Sequence, residues 1–249
     1  MNAASTETIA NSDTAAIPPA TREELAALLA IRGHVYGLAS NLCRMEPSRE
    51  SLAAIAASDA LRLLADDIAP IAEILAGARE CLGERAALKA AAEDYCRLYI
   101  GPGPLPAPLW ESVYRDRESI LFGEATLAVR KFYAACGLEY AHKTTMPDDH
   151  IAIELECMCR LNAAMLERLE SGQSNESATE YADLAELQLR FLERHLLQWA
   201  PQSFALQIPH ASTRIYRGLA DLIISFLPYD ARLMCSLQKD RPACGHHAR

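Results

Sequence analysis

A chain of 249 residues, 51% of them hydrophobic, is long enough to bury a substantial core, and its formal net charge of −9 disfavours nucleic acid as a partner because phosphates would be repelled. Aromatics make up only 6% of the chain, alanine and leucine dominate, and no run of Val, Ile and Thr alternates with polar residues as a strand would. These features exclude a β fold and predict an all-α class, a single bundle-like globular domain of about nine or ten helices.

In chain order, residues 1–20 carry no Lys or Arg and no apolar core of a secretory signal; they read as a disordered arm. Residues 22–43 carry a broad apolar stripe that includes Leu25, Leu28, Leu29, Val35, Tyr36, Leu38 and Leu42, typical of packing inside a bundle. Helices are expected over Ser48 to Ala57 and Ser58 to Gly77, with Pro70 kinking or dividing the second, and over Gly83 to Tyr99. A proline-rich loop follows, "GPGPLPAPLWESVYRDR" at 101–117. Then come helices from Gly123 to Cys136, capped by Gly137, and from the "PDDH" at 147–150 to Gly172. The stretch "SGQSNES" at 171–177 is a connector. Long helices are expected over Ala178 to Trp199 and Ser212 to Leu227, with a short one after Pro228. The domain limits are 21–238, with 239–249 as a flexible tail. Nowhere do eighteen apolar residues run together, so no transmembrane span or stable membrane insertion is expected, and the reading is a soluble cytoplasmic protein.

The usual catalytic patterns are missing. "GPGPLP" follows a helix and fills its gaps with proline, which has no N–H for a phosphate. Only one Glu-x-x-His pair, Glu139 with His142, is present, where a di-iron bundle needs two. His150 and Glu154 lack two further zinc ligands, and Cys244-Gly-His246-His247 has no partner cluster. The eight cysteines read as reduced thiols. No metal or cofactor is expected.

Two concentrations remain. Residues 95–123 gather Tyr95, Tyr99, Trp110, Tyr114 and Phe122 around a loop stiffened by proline, which suits a recognition surface, or else a plug at the end of a bundle. "PDDHIAIELE" places Asp148, Asp149, Glu154 and Glu156 around His150. As a helix it turns Ile151, Leu155 and Met158 inward, with Asp148 and His150 at an exposed start, a seat for a cationic ligand or simply a solvated helix end.

"YCRLYIGPGPLPAPLWESVYRDRESILFGEATLAVRKFY" followed by "MPDDHIAIELECMCRL" resembles the TorD/DmsD family of redox-enzyme maturation chaperones, the DmsD branch in particular. The shared pattern is L-F/Y-x-G-P, prolines, P-P-W-x-S-V-Y/W with D-R-E after it, and E-P-x-D-H opening a long helix; weaker likeness extends over about residues 25 to 230. The resemblance implies a helical chaperone without catalytic activity. It would bind the twin-arginine leader of a molybdopterin-containing oxidoreductase of the dimethyl-sulfoxide-reductase type, and delay export until cofactor loading. It also allows contact with the apo-enzyme body, and either a monomer or a domain-swapped homodimer. Carried over position by position, it implies leader contacts at Trp110, Ser112, Tyr114, Asp116, Pro147, Asp149 and His150, to which the acidic seat adds Glu154. Arginines would meet Asp116, Asp149 or Glu154 at a wet rim, and His150 would make binding pH-sensitive near neutrality. Two departures stand out. Leu109 replaces the second proline of P-P-W and should loosen the loop, and Met146 replaces the glutamate of E-P-x-D-H, removing one acid. The rival readings are a metal-dependent helical-bundle enzyme and a nucleotide-regulated binding module.

Overall fold

A computed structural model describes residues 21–116, 123–139, 146–171 and 175–239. The expected arm at 1–20, most of the tail, His142, Phe122 and the Cys244–His247 group lie outside the described residues. The described residues form α-helices and two π-helical segments, with one isolated two-residue β-bridge and no strand.

The helices are α1 (Arg22–Arg44), α2 (Arg49–Ala57), α3 (Asp59–Leu64), α4 (Ala69–Gly83), α5 (Arg85–Tyr95), α6 (Glu111–Arg115), α7 (Glu124–Ala135), α8 (Ile151–Ser171), α9 (Asn175–Phe191), α10 (Leu197–Gln207) and α11 (Arg214–Lys239). Their ends follow from local chemistry. Thr21 and Glu24 form a reciprocal capping box on α1, as do Ser48 and Ser51 on α2. Pro70 sits in the first turn of α4, where its missing N–H costs nothing, and so divides the segment after Ser58. Gly137 takes φ +70° just after α7, the left-handed conformation expected of a helix-ending glycine.

Three expectations are corrected. α11 runs unbroken through Pro228. The residues around that proline, Leu227, Asp230, Leu233 and Met234, are buried, and this packing outweighs the local loss of one backbone hydrogen bond. The connector at 171–177 is partly helical, because α9 begins at Asn175. The proline-rich loop also contains a short helix, α6, which starts right after Trp110.

α1 lies along α8, α4 along α11, and α9 and α10 pack on α8 and α11 respectively. At the α4–α11 crossing a Cβ on Gly218 would stand 2.8 Å from the carbonyl oxygen of Pro70, so only glycine permits this approach. One continuous core runs through all these helices. Within it Arg32, only 1% exposed, donates to both carboxylate oxygens of Asp230 and to Asn162, and Tyr36 donates to Asp230. This network ties α1, α8 and α11 together and fully partners a buried charge pair.

Candidate functional site

The proline-rich loop and the start of α8 are locked together by backbone. The amide of Glu111 donates to the carbonyl of Asp149 at 3.0 Å, and the amide of Ile151 donates to the carbonyl of Leu109 at 2.9 Å. This antiparallel bridge sets Trp110 directly opposite His150. Their rings meet edge to face, with centroids 5.4 Å apart and an interplanar angle of 76°. Leu109 is itself buried, so the residue standing in place of a proline anchors the loop instead of loosening it.

Asp149 is fully buried and works as a clamp. Its carboxylate accepts from the amide of Ser112 at 2.9 Å and from the hydroxyl of Thr126 on α7 at 2.9 Å, joining loop, α7 and α8. Asp148 is also buried. It pairs with Arg130 of α7 at 2.5 Å, and its carbonyl accepts from the Tyr133 hydroxyl. The Pro147 carbonyl accepts from the His150 amide, closing the turn into α8. Asp116 caps the start of α7 by accepting from the Ala125 amide. Tyr114 stacks on Trp199 with centroids 5.5 Å apart and donates to the Pro108 carbonyl.

Burial overturns the exposed acidic rim. Asp148 and His150 are 1% and 4% exposed, and Asp149 and Glu154 are completely covered. The helix start is roofed by the loop and by α7, elements that sequence pattern alone could not set against it. Trp110, Tyr114, Asp116 and Pro147 remain partly exposed. His150 is not poised near neutrality either. Burial, helped by the positive charge of Arg44, holds its imidazole down to about 3, and its Nδ1 accepts from the Ala152 amide as a neutral ring does.

Behind Trp110 lies a polar cluster that the sequence reading missed. Glu111, fully buried, meets His195 Nδ1 at 3.0 Å and pairs with Arg115, which also donates to the Arg194 carbonyl. His195 belongs to a π-helical turn at Leu192–Leu196 between α9 and α10. Neither residue stands in a spacing that marks a site, so the primary structure offered no signal for their pairing. Glu154 sits nearby. Burial, and then the charges of Glu111 and Asp149, push its carboxyl well above the ordinary range, and Trp199 Nε1 donates to one of its oxygens at 3.4 Å. The other oxygen of Glu154, the Ser112 hydroxyl and Trp110 Nε1 are buried without a described hydrogen-bond partner. Among the described residues no three His, Cys, Asp or Glu side chains are grouped to hold a metal ion.

These paired segments fall within a larger match. The profile of the nitrate reductase delta subunit family matches residues 64–205, more than half of the chain. The chain belongs to that family. Among its curated relatives is the Tat proofreading chaperone DmsD of Salmonella typhi, 36% identical over 126 residues, which are 51% of this chain and 53% of that one. The chaperone protein TorD of Psychrobacter sp. (strain PRwf-1) is 29% identical over 148 residues, 57% and 61% of the two chains. TorD of Vibrio cholerae is 26% identical over 146 residues, 59% of this chain and 63% of that one. The resemblance to TorD/DmsD chaperones is borne out: these relatives are named as chaperones. The chain spans about half the length of the DmsD relatives it matches. No helix among the described residues is long and apolar enough to cross a membrane.

Proposed function

We propose that this protein is a system-specific cytoplasmic chaperone. Its client would be a molybdopterin-containing oxidoreductase of the dimethyl-sulfoxide-reductase type, gripped by its twin-arginine leader and withheld from export until the cofactor is loaded. The observation that carries the reading is the bridge between Leu109–Glu111 and Asp149–Ile151, which makes one wall out of the two segments that resemble the family's leader-binding motifs.

In this reading the partly exposed groups touch the leader and the buried ones hold them in place. Trp110 and Pro147 offer apolar surface, Tyr114 supports it from the stack on Trp199, and Asp116 is the acid within reach of an arginine. Ser112, Asp149, His150 and Glu154 act from beneath: the first three fix the bridge and the Trp110 ring, and Glu154 braces Trp199. Burial of apolar surface supplies the affinity, while one carboxylate at the rim contributes selection and steering.

The test is a pull-down of the full chain from its own cells, followed by mass spectrometry. Recovery of a molybdoenzyme subunit with its Arg-Arg leader uncleaved is the expected result. Repeated failure to recover any leader-bearing protein while that client class is expressed would overturn the assignment.

A further inference from the structure

The two longest stretches of the chain without Asp, Glu, Lys or Arg are residues 98–110 and 195–213, in a protein of which 23% is charged. The fold lays one against the other. The Tyr99 hydroxyl donates to Gln207 Oε1 at 2.6 Å, the Ser203 hydroxyl donates to the Pro108 carbonyl at 2.9 Å, and just beyond the loop Tyr114 stacks on Trp199. The proline-rich loop therefore runs antiparallel to α10, and the two make one uncharged face.

Part of that surface is buried: Tyr99, Leu109, Trp199 and Phe204 are covered. The rest faces outward. Ile100 is 62% exposed and Leu206 and Ile208 are each 46% exposed, three of the seven strongly exposed large hydrophobic side chains among the described residues. Ile100 follows Tyr99, and Leu206 and Ile208 flank Gln207, so the hydrogen bond between Tyr99 and Gln207 gathers all three at one end of the face. Pro102, Pro104, Ala205 and Pro209 are exposed on the same two segments. Gly103 takes φ +110° between Pro102 and Pro104, so the loop holds its shape and loses little freedom on being covered.

Chemistry narrows what can cover such a face. A peptide led by arginines finds no carboxylate there, and nucleic acid or an anionic membrane finds no Lys or Arg. The charges beside it are engaged: Asp94 accepts from the amides of Ser212 and Thr213 and pairs with Arg97. A chain of net charge −9 repels its own copy, and over this face that repulsion is weakest and apolar burial can outweigh it. We infer that the face formed by the proline-rich loop and α10 receives the same face of a second copy of this chain, a two-fold dimer that buries Ile100, Leu206 and Ile208 of each protomer against its partner. An uncharged apolar patch is complementary to itself, as a two-fold contact requires, and interfaces are depleted of charge at their centre. No element is exchanged between the copies.

Sedimentation velocity of the full chain, from about 1 μM to 1 mM, reads the equilibrium between the 27.3 kDa monomer and its dimer. Ile100→Glu charges the face from the loop and Leu206→Glu charges it from α10, so loss of fold in one still leaves the other; melting curves establish that each is folded. Each is expected to weaken association by about tenfold or more. Added salt is expected to strengthen wild-type association, because no ion pair crosses the face and only the repulsion is screened. Leu63→Glu, at a 72% exposed site on α3, is expected to leave the dimer unchanged. A wild type that stays monomeric throughout would overturn the inference, as would a dimer that both face variants leave intact or that Leu63→Glu dissolves equally. Association that weakens with salt would put charges across the contact and overturn it too.

Discussion

Ser112 and Asp149, 37 positions apart in the chain, are joined by a 2.9 Å hydrogen bond from the amide of one to the carboxylate of the other. Thr126 donates to the second oxygen of the same carboxylate. Asp149→Asn keeps the shape but turns one acceptor into a donor facing a donor, and should cost about 1–3 kcal/mol. Asp149→Ala, which strands both donors in the interior, should cost more. Urea unfolding measures both. The leader reading adds that either change weakens peptide binding by displacing Trp110, and affinity within twofold of wild type for both Asp149→Asn and Trp110→Ala would remove these residues from the site.

His150 makes stability depend on acidity. Its folded-state pKa, about 3, lies below the ordinary value of 6.5, so the unfolded chain takes up a proton that the folded chain refuses. Its contribution is present above pH 6.5 and is lost as pH falls towards 3, by about 1.4 kcal/mol per unit. Comparing His150→Gln with wild type at several acidic pH values isolates the term: the variant should lose less stability on acidification.

Glu154 acts with the opposite sign. A raised carboxyl pKa means that the folded chain keeps a proton the unfolded chain gives up above the ordinary carboxylate value, so its contribution is present in acid and is lost as pH rises. Glu154→Gln retains an acceptor for Trp199 while removing the buried carboxyl that must hold a proton to stay folded. It should raise Tm at neutral pH by a few degrees, corresponding to about 1 kcal/mol, and by less in acid.

The Arg32–Asp230 pair tests whether a buried ion pair stabilises or only specifies. Asp230→Ala leaves a buried guanidinium and the Tyr36 hydroxyl without their acceptor, and should cost about 3–5 kcal/mol. Arg32→Met with Asp230→Leu should cost much less than the single change, and a double-mutant cycle gives the coupling directly.

Two helical glycines should respond oppositely to alanine. At Gly218 the new methyl would collide with the Pro70 carbonyl, which is backbone and cannot yield cheaply, so Gly218→Ala should destabilise by about 1–3 kcal/mol. At Gly37 it meets open space, and Gly37→Ala should stabilise by about 0.5–1 kcal/mol through helix propensity. Thermal melts of the two variants decide it.

Several helix ends were legible in the chain, because caps, prolines and apolar spacing act within a few residues: Thr21 with Glu24 opens α1, Pro70 divides α3 from α4, and Gly137 closes α7. The sequence also pointed to the two motif segments, whose order and spacing are properties of the chain. What surrounds each side chain depends on segments far away in the chain. Acids beside a helix start look solvated until α7 and the Trp110 loop are laid over them, and the same covering deprives His150 of its proton. Pro228 reads as a break until Asp230 and its neighbours are seen packed on α1, and Glu111 with His195 is silent until a π-turn brings them to 3.0 Å. Burial and dielectric are set by residues remote in sequence, so the exposure and charge state of a site follow from the fold and cannot be read from local pattern.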